Sequence, residues 1–166
     1  MVEEVLRIQS VIRDNVTDPK TGVVHGDPGA RNWVYPDFPR FDLKQDSMPR
    51  AGIWVLDRDS VSKVISNVKH LVTTTFQIEF VVMKAKGGEG IFTIGGEKYS
   101  DMKLLYYLAS QVENVLISYQ TDLSDSGTPQ MFNYTQLGKF VLGHNEQTHQ
   151  MRLALRVSYQ SFDTAS

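Results

Sequence analysis

The sequence predicts an α+β domain: a mostly antiparallel sheet of about four strands, two amphipathic helices covering it, and a long aromatic-rich loop near the amino end. Three observations predict this. Two segments, TTTFQIEFVVM and RLALRVSYQ, alternate apolar and polar residues at the two-residue period of half-buried strands. A third, DMKLLYYLASQVENVLIS, repeats its apolar residues at steps of three and four, the period of a helix with one buried face. Finally, 166 residues suffice for one core and leave little room for a second lobe, so residues 1–166 read as a single domain.

At the amino end, Val5, Ile8 and Ile12 stand at helical spacing among Glu3, Glu4, Arg7 and Arg13, which predicts a helix over about residues 2–14. The turn formers of DNVTDPKTG stop it. From Gly22 to Met48 no period appears; GVVHGDPGARNWVYPDFPRFDLKQDSM reads as an extended loop anchored by Trp33, Tyr35, Phe38 and Phe41. A loop this long inside a compact domain tends to be functional or to order on a partner. RAGIWVLDRDS is a short strand with Ile53 and Val55 on one side and Trp54 and Leu56 on the other.

In the next strand, Phe76, Ile78, Phe80 and Val82 alternate with Thr75, Gln77, Glu79 and Val81. KGGEG is a turn, and IFTIGGEKYS an extended piece with a second Gly-Gly turn. Ser100 is placed to cap a helix over residues 101–119, with Asp101 at its positive end. TDLSDSGTPQ breaks that helix, and residues 131–142 are weakly extended, with Phe140 and Leu142 read as inward. The last strand sets Met151, Leu153, Leu155, Val157 and Tyr159 against Arg152, Ala154, Arg156 and Ser158, and the polar end, residues 161–166, reads as a flexible tail. The expected core is Phe76, Ile78, Phe80, Leu153, Leu155 and Val157 from strands, with Ile8, Ile12, Leu105, Leu108 and Val112 from helices.

Composition narrows the functional classes. A net charge of −2 gives no global attraction to nucleic acid or acidic lipid, and zero cysteines exclude disulfides and thiolate metal sites. No apolar run has the length of a membrane span. The segment HGDPGARN matches the H-G-D-x4-N catalytic loop of aminoglycoside-type and choline-type kinases, which would make Asp27 the residue acting on the attacking hydroxyl and Asn32 a metal ligand. However, a kinase needs a nucleotide lobe ahead of that loop, and the residues preceding His25 supply one helix. A turn built on Gly26, Pro28 and Gly29 is the favoured reading.

GEGIFTIGG has the glycine separation of a phosphate-binding loop, but Gly96 stands where its lysine belongs. His25, His70, His144 and His149 lack the spacing of a zinc pair. No catalytic, metal or cofactor site is therefore expected. Glu79 is either a solvated outward residue or a charge lining a cavity. Arg152 and Arg156 share a strand face suited to solvent or subunit contacts. WVYPDFPRF is either a packed cover or a binding surface.

Taken together, the amino-terminal helix, RAGIWVLDRDS, TTTFQIEFVVM, EKYSDMKLLYYLASQVENVL and RLALRVSYQ resemble, in pattern and order, the tail-terminator (tail-completion, head–tail joining) proteins of long-tailed bacterial and archaeal viruses. That family is similar in fold to tail-tube and head–tail joining proteins. The resemblance implies a non-enzymatic virion protein of the tail or neck, assembled in the host cytoplasm. It implies a homohexameric ring that caps the tail tube, meets the head connector, and passes genomic DNA without sequence-specific binding and without a membrane. In that setting Trp33, Tyr35, Phe38, Phe41, Arg152 and Arg156 are candidates for subunit or partner contacts, and Glu79 for a channel-facing position. Two alternatives stand beside it: another virion part of related fold, such as a connector or tube protein, and a small phosphotransfer enzyme using His25, Asp27 and Asn32.

Overall fold

The computed structural model describes residues 2–37, 48–66, 69–125, 130–145 and 149–164. The fold is α+β. Its main sheet has five strands in the order β1-β2-β3-β7-β6, where β1 is Val34–Tyr35, β2 Arg50–Ser66, β3 Lys69–Met83, β6 Phe132–Asn145 and β7 Gln150–Thr164. Every pairing is antiparallel except β1 on β2, which is parallel. A separate hairpin joins β4 (Phe92–Ile94) to β5 (Glu97–Tyr99). Gly95 and Gly96 turn it with φ of 60° and 83°, the paired positive values that a tight hairpin turn needs and that glycine adopts without strain.

Helices α1 (Val2–Asn15), α2 (Asp101–Ser118) and α3 (Gln120–Asp125) lie on one face of the sheet. All eleven expected core residues are buried there, joined by Val5, Val16, Ile53, Leu104, Leu116 and Tyr159. Alternation along β3 and β7 aims Phe76, Ile78 and Phe80 and their register partners Val157, Leu155 and Leu153 at the helices. The acidic first turn of α1, Glu3 and Glu4, and Arg13 in its last turn both suit the helix dipole. Arg7 then donates to the carbonyls of Asp122 (2.6 Å) and Leu123 (3.0 Å), tying α1 to α3.

Several elements differ from expectation. β2 is not short: its 17 residues reach about 56 Å at 3.3 Å per residue, whereas the 18 residues of α2 span about 27 Å. β2 thus runs about twice as far as α2, and Phe76 is the first residue of β3 in the hydrophobic core. The extension is paid out in cross-strand bonds: residues 161–164, expected as a flexible tail, are strand and pair with residues 69–72 of β3. The helix breaker TDLSDSGTPQ starts with a further helical turn, α3. Ser100 makes no side-chain capping bond; the Asp101 carboxylate instead accepts from the backbone N–H of Ala85 at 2.9 Å. Phe140 and Leu142, expected inward, are 40% and 46% exposed, because β6 is the sheet's outer strand and Phe140, paired with Ala154, lies on the face turned away from the helices.

Candidate assembly surface

The sheet face turned away from the helices carries the other half of each strand's alternation: Arg50 and Trp54 on β2, Gln77, Glu79 and Val81 on β3, Arg152, Ala154 and Arg156 on β7, and Phe140 on β6. Several of its polar groups bond to one another. Arg152 Nη1 donates to Glu79 Oε1 at 2.8 Å, and Arg152 Nη2 donates to Gln150 Oε1 at 3.0 Å. Both partners of the ion pair are sealed, with side chains 8% and 4% exposed. Next to them, Arg156 Nε donates to Gln77 Oε1 at 2.9 Å, and its guanidinium lies 4.6 Å from the centre of the Phe140 ring. At the β1 end the Arg50 guanidinium lies 3.7 Å over Tyr35.

These positions revise the expected site. Glu79 is not solvated: it is buried against Arg152, whose side chain is 8% exposed. Arg156 is half-buried on the same face. Trp33 is 1% exposed and belongs to the core, where β1 is held by Gln9 Nε2 donating to the Val34 carbonyl at 2.8 Å. Tyr35 is half-buried and donates its hydroxyl to the Asn32 carbonyl at 2.9 Å. Phe38 and Phe41 lie outside the described residues.

Sequence reading gave no weight to Asp18, which organises the whole approach to β1. Its buried carboxylate accepts from Arg31 Nε at 2.6 Å and Nη2 at 3.0 Å, and from the Lys20 N–H at 3.0 Å. Arg31 goes on to the Pro49 carbonyl at 2.6 Å. A lone aspartate in a turn-rich stretch has no signature that separates this role from an ordinary turn residue. His25, Asp27 and Asn32 are exposed on this loop: His25 Nδ1 sits 3.3 Å from Asp14 Oδ1, and the Asp27 carbonyl accepts from the Ala30 N–H in a turn.

The sheet ends in two open edges. On one side β1 covers only Ala51 and Gly52 of β2, leaving residues 53–66 without a strand beyond them among the described residues. On the other side β6 has no strand on its outer edge among the described residues, and Leu137, Phe140, Val141 and Leu142 are 48%, 40%, 52% and 46% exposed. Single exposed apolar residues are ordinary, but a run of them on an unpaired strand is a ready template for another strand.

Beside the start of β6, a cavity of about 250 Å³ is lined by Gln120, Thr121, Ser124, Asn133, Tyr134 and Tyr159 among others. The Tyr134 and Tyr159 hydroxyls are buried there without a hydrogen-bond partner among the described residues. Burial, then the nearby charge of Glu113, pushes the Tyr134 phenol up to about 12, and burial, then Tyr134, pushes Tyr159 up further.

No protein-family model matches this chain. No curated protein matches its sequence either. Among solved structures, a chain from the virion of a native gene transfer agent particle aligns with a TM-score of 0.44 and 10% sequence identity, over 98% of this chain and 92% of that one. No described helix is long and apolar enough to cross a membrane.

Proposed function

We propose that this chain is a virion structural protein, a tail terminator whose copies close into a ring, most simply of six, that caps the tail tube and joins it to the head connector around the DNA channel. The role is mechanical rather than catalytic, and its place is the tail or neck of the particle. The pattern and order of elements described above motivate the family.

One geometric observation carries the ring: the two open edges lie on opposite sides of one sheet, and the strands between them alternate in direction. β2, β3, β7 and β6 run alternately up and down. A rotation about an axis along the strands leaves every direction unchanged. β6 of one copy therefore meets β2 of the next with antiparallel polarity, which continues the alternation. Such a contact is head-to-tail, and head-to-tail contacts either close into a ring or run on as a filament. A protein that terminates a tube needs closure.

The polar sheet face suits a ring through which DNA slides, because its buried arginine, Arg152, is already neutralised by Glu79. Arg152 is ion-paired with the Glu79 carboxylate and offers no uncompensated charge for a phosphate, while Arg156 is half-buried, donating to the Gln77 amide and lying against Phe140. Each free lysine or arginine would add a salt-dependent attraction. Light scattering across a concentration series, followed by electron microscopy with and without tail tubes, tests the proposal. Closed rings that cap tubes are expected; a protein that stays monomeric and leaves tubes uncapped would refute it.

A further inference from the structure

The two open edges each carry a cation that would obstruct strand pairing, and a helix glutamate holds each one away. On β6 it is Lys139, whose Nζ lies 3.0 Å from Glu113 Oε2 on α2; the other oxygen of Glu113 accepts from Gln136 Nε2. On β2 it is Arg58, whose Nη1 lies 3.5 Å from Glu4 Oε1 on α1. Both cations sit on the helix side of the sheet, since Lys139 pairs with Leu155 and Arg58 with Thr74. Lysines on an edge strand are a common guard against unwanted pairing. Here the guard is folded under the sheet.

We propose that the outer edge of β6 between Leu137 and Leu142 is the seat for β2 of a second copy, and that Glu113 keeps the seat open by holding Lys139 against α2. This rests on the ring reading. The occupant is argued from three features. The open stretch of β2, residues 53–66, is as long as β6 itself. The polarity of the two strands is antiparallel under rotation, as shown above. The open stretch also presents an apolar partner, Leu56, 45% exposed at a register shift between Val55 and Asp57.

Register shifts in β6 at Gln136/Gly138 and Val141/Gly143 leave 138–141 as its longest regular run, paired to residues 153–156. Between Leu137 and Leu142 an incoming strand finds only that run in regular geometry, which selects one register and disfavours indiscriminate aggregation. Gly138 is needed there: its φ is +148°, and a Cβ would stand 3.1 Å from the Phe140 ring. If Glu113 let go, Lys139 would reach the edge and approach Arg58 of the incoming copy, setting two cations together where water is being excluded.

The chain has no cysteine, which makes cross-linking specific. With Leu56→Cys and Val141→Cys in one chain, oxidation is expected to give a ladder of covalent multimers ending in a closed species; Val141→Cys alone should give no dimer. A Val141→Cys dimer without the ladder would mean that β6 pairs with itself and would overturn the assignment of β2. For the glutamate, Glu113→Ala is expected to weaken self-association roughly tenfold or more, and adding Lys139→Ala should restore it.

A purely structural loss at Glu113 would leave the double variant as weak as the single one. Circular dichroism and a melting curve verify folding, and Glu113→Gln, which keeps a hydrogen-bond acceptor for Gln136, replaces Glu113→Ala if the latter unfolds. A wild type that never associates defeats the ring reading together with this inference. A wild type that forms rings while Glu113→Ala and Glu113→Gln form them equally well, or while Lys139→Ala brings no rescue, defeats this inference alone.

Discussion

The two faces of the sheet are both closed to water over the middle of β3 and β7, and by opposite chemistry. On one, Phe76, Ile78, Phe80, Leu153, Leu155 and Val157 pack beneath α1 and α2 with no exposed surface. On the other, Gln77, Glu79, Val81, Arg152 and Ala154 are 0–7% exposed, and the polar ones are hydrogen-bonded to each other. The first face is non-directional and gains from each apolar area removed from water. The second depends on every partner being present, because a buried charge that loses its counter-charge has nowhere to turn. Substitutions should therefore behave differently on the two faces: graded on the first, all-or-none by pair on the second.

The largest effect is expected from breaking the pair on the polar face. Glu79→Ala leaves Arg152 buried and uncompensated and should cost about 3–5 kcal/mol. Replacing both residues with apolar ones, Glu79→Leu with Arg152→Met, should recover most of that loss. Urea unfolding of the three proteins measures it; a double variant no more stable than Glu79→Ala would show that the pair contributes more than mutual neutralisation.

On the apolar face, Leu155→Ala should cost about 2–5 kcal/mol, with no second-site partner able to repair it except by filling the cavity. Thermal or urea unfolding checks this, and a loss under half a kcal/mol would mean that the side chain does not reach the helices. A smaller effect, about 1 kcal/mol, is expected for Gln77→Ala, which removes one acceptor from a half-buried Arg156 that keeps its contact with Phe140.

The mildest test is alkaline. Tyr134, pushed up to about 12, and Tyr159, pushed up further, are held neutral by the fold above the ordinary phenol value of about 10. A folded-state value above the unfolded one contributes stability that is complete below about pH 10 and is lost as pH rises toward and through the folded value. Stability is thus expected to stay level up to about pH 10 and to decline above it. The double variant Tyr134→Phe, Tyr159→Phe should decline less steeply. Equal slopes for the two proteins would place the alkaline loss elsewhere.

Much of the fold was legible in the chain, for local reasons. A strand's side-chain period is two and a helix's is 3.6, so the apolar residues of β3, β7, α1 and α2 named the core face without any knowledge of neighbours. The same periodicity failed at β6, where Phe140 and Leu142 were expected inside. Alternation states which residues share a face but not which face the helices cover, and Phe140 shares the uncovered face with Ala154 and Arg156. It also failed at Glu79 and Arg152. Their outward placement was read correctly; their burial was not, because the partner is 73 residues away in sequence.

By itself, then, the sequence determined the α+β class, the presence of α1, α2, β3 and β7 and the eleven core side chains they turn inward, all of which follow from spacing along a few turns of chain. Tertiary structure alone decided which strands stand at the edges, that Asp18 gathers Arg31 and the turn before β1, that Trp33 goes into the core, and that Glu113 and Glu4 draw Lys139 and Arg58 beneath the sheet. Each of those is a pairing between groups far apart in the chain. Their energy depends on distance and on the water excluded around them, and neither quantity exists until the chain has closed on itself.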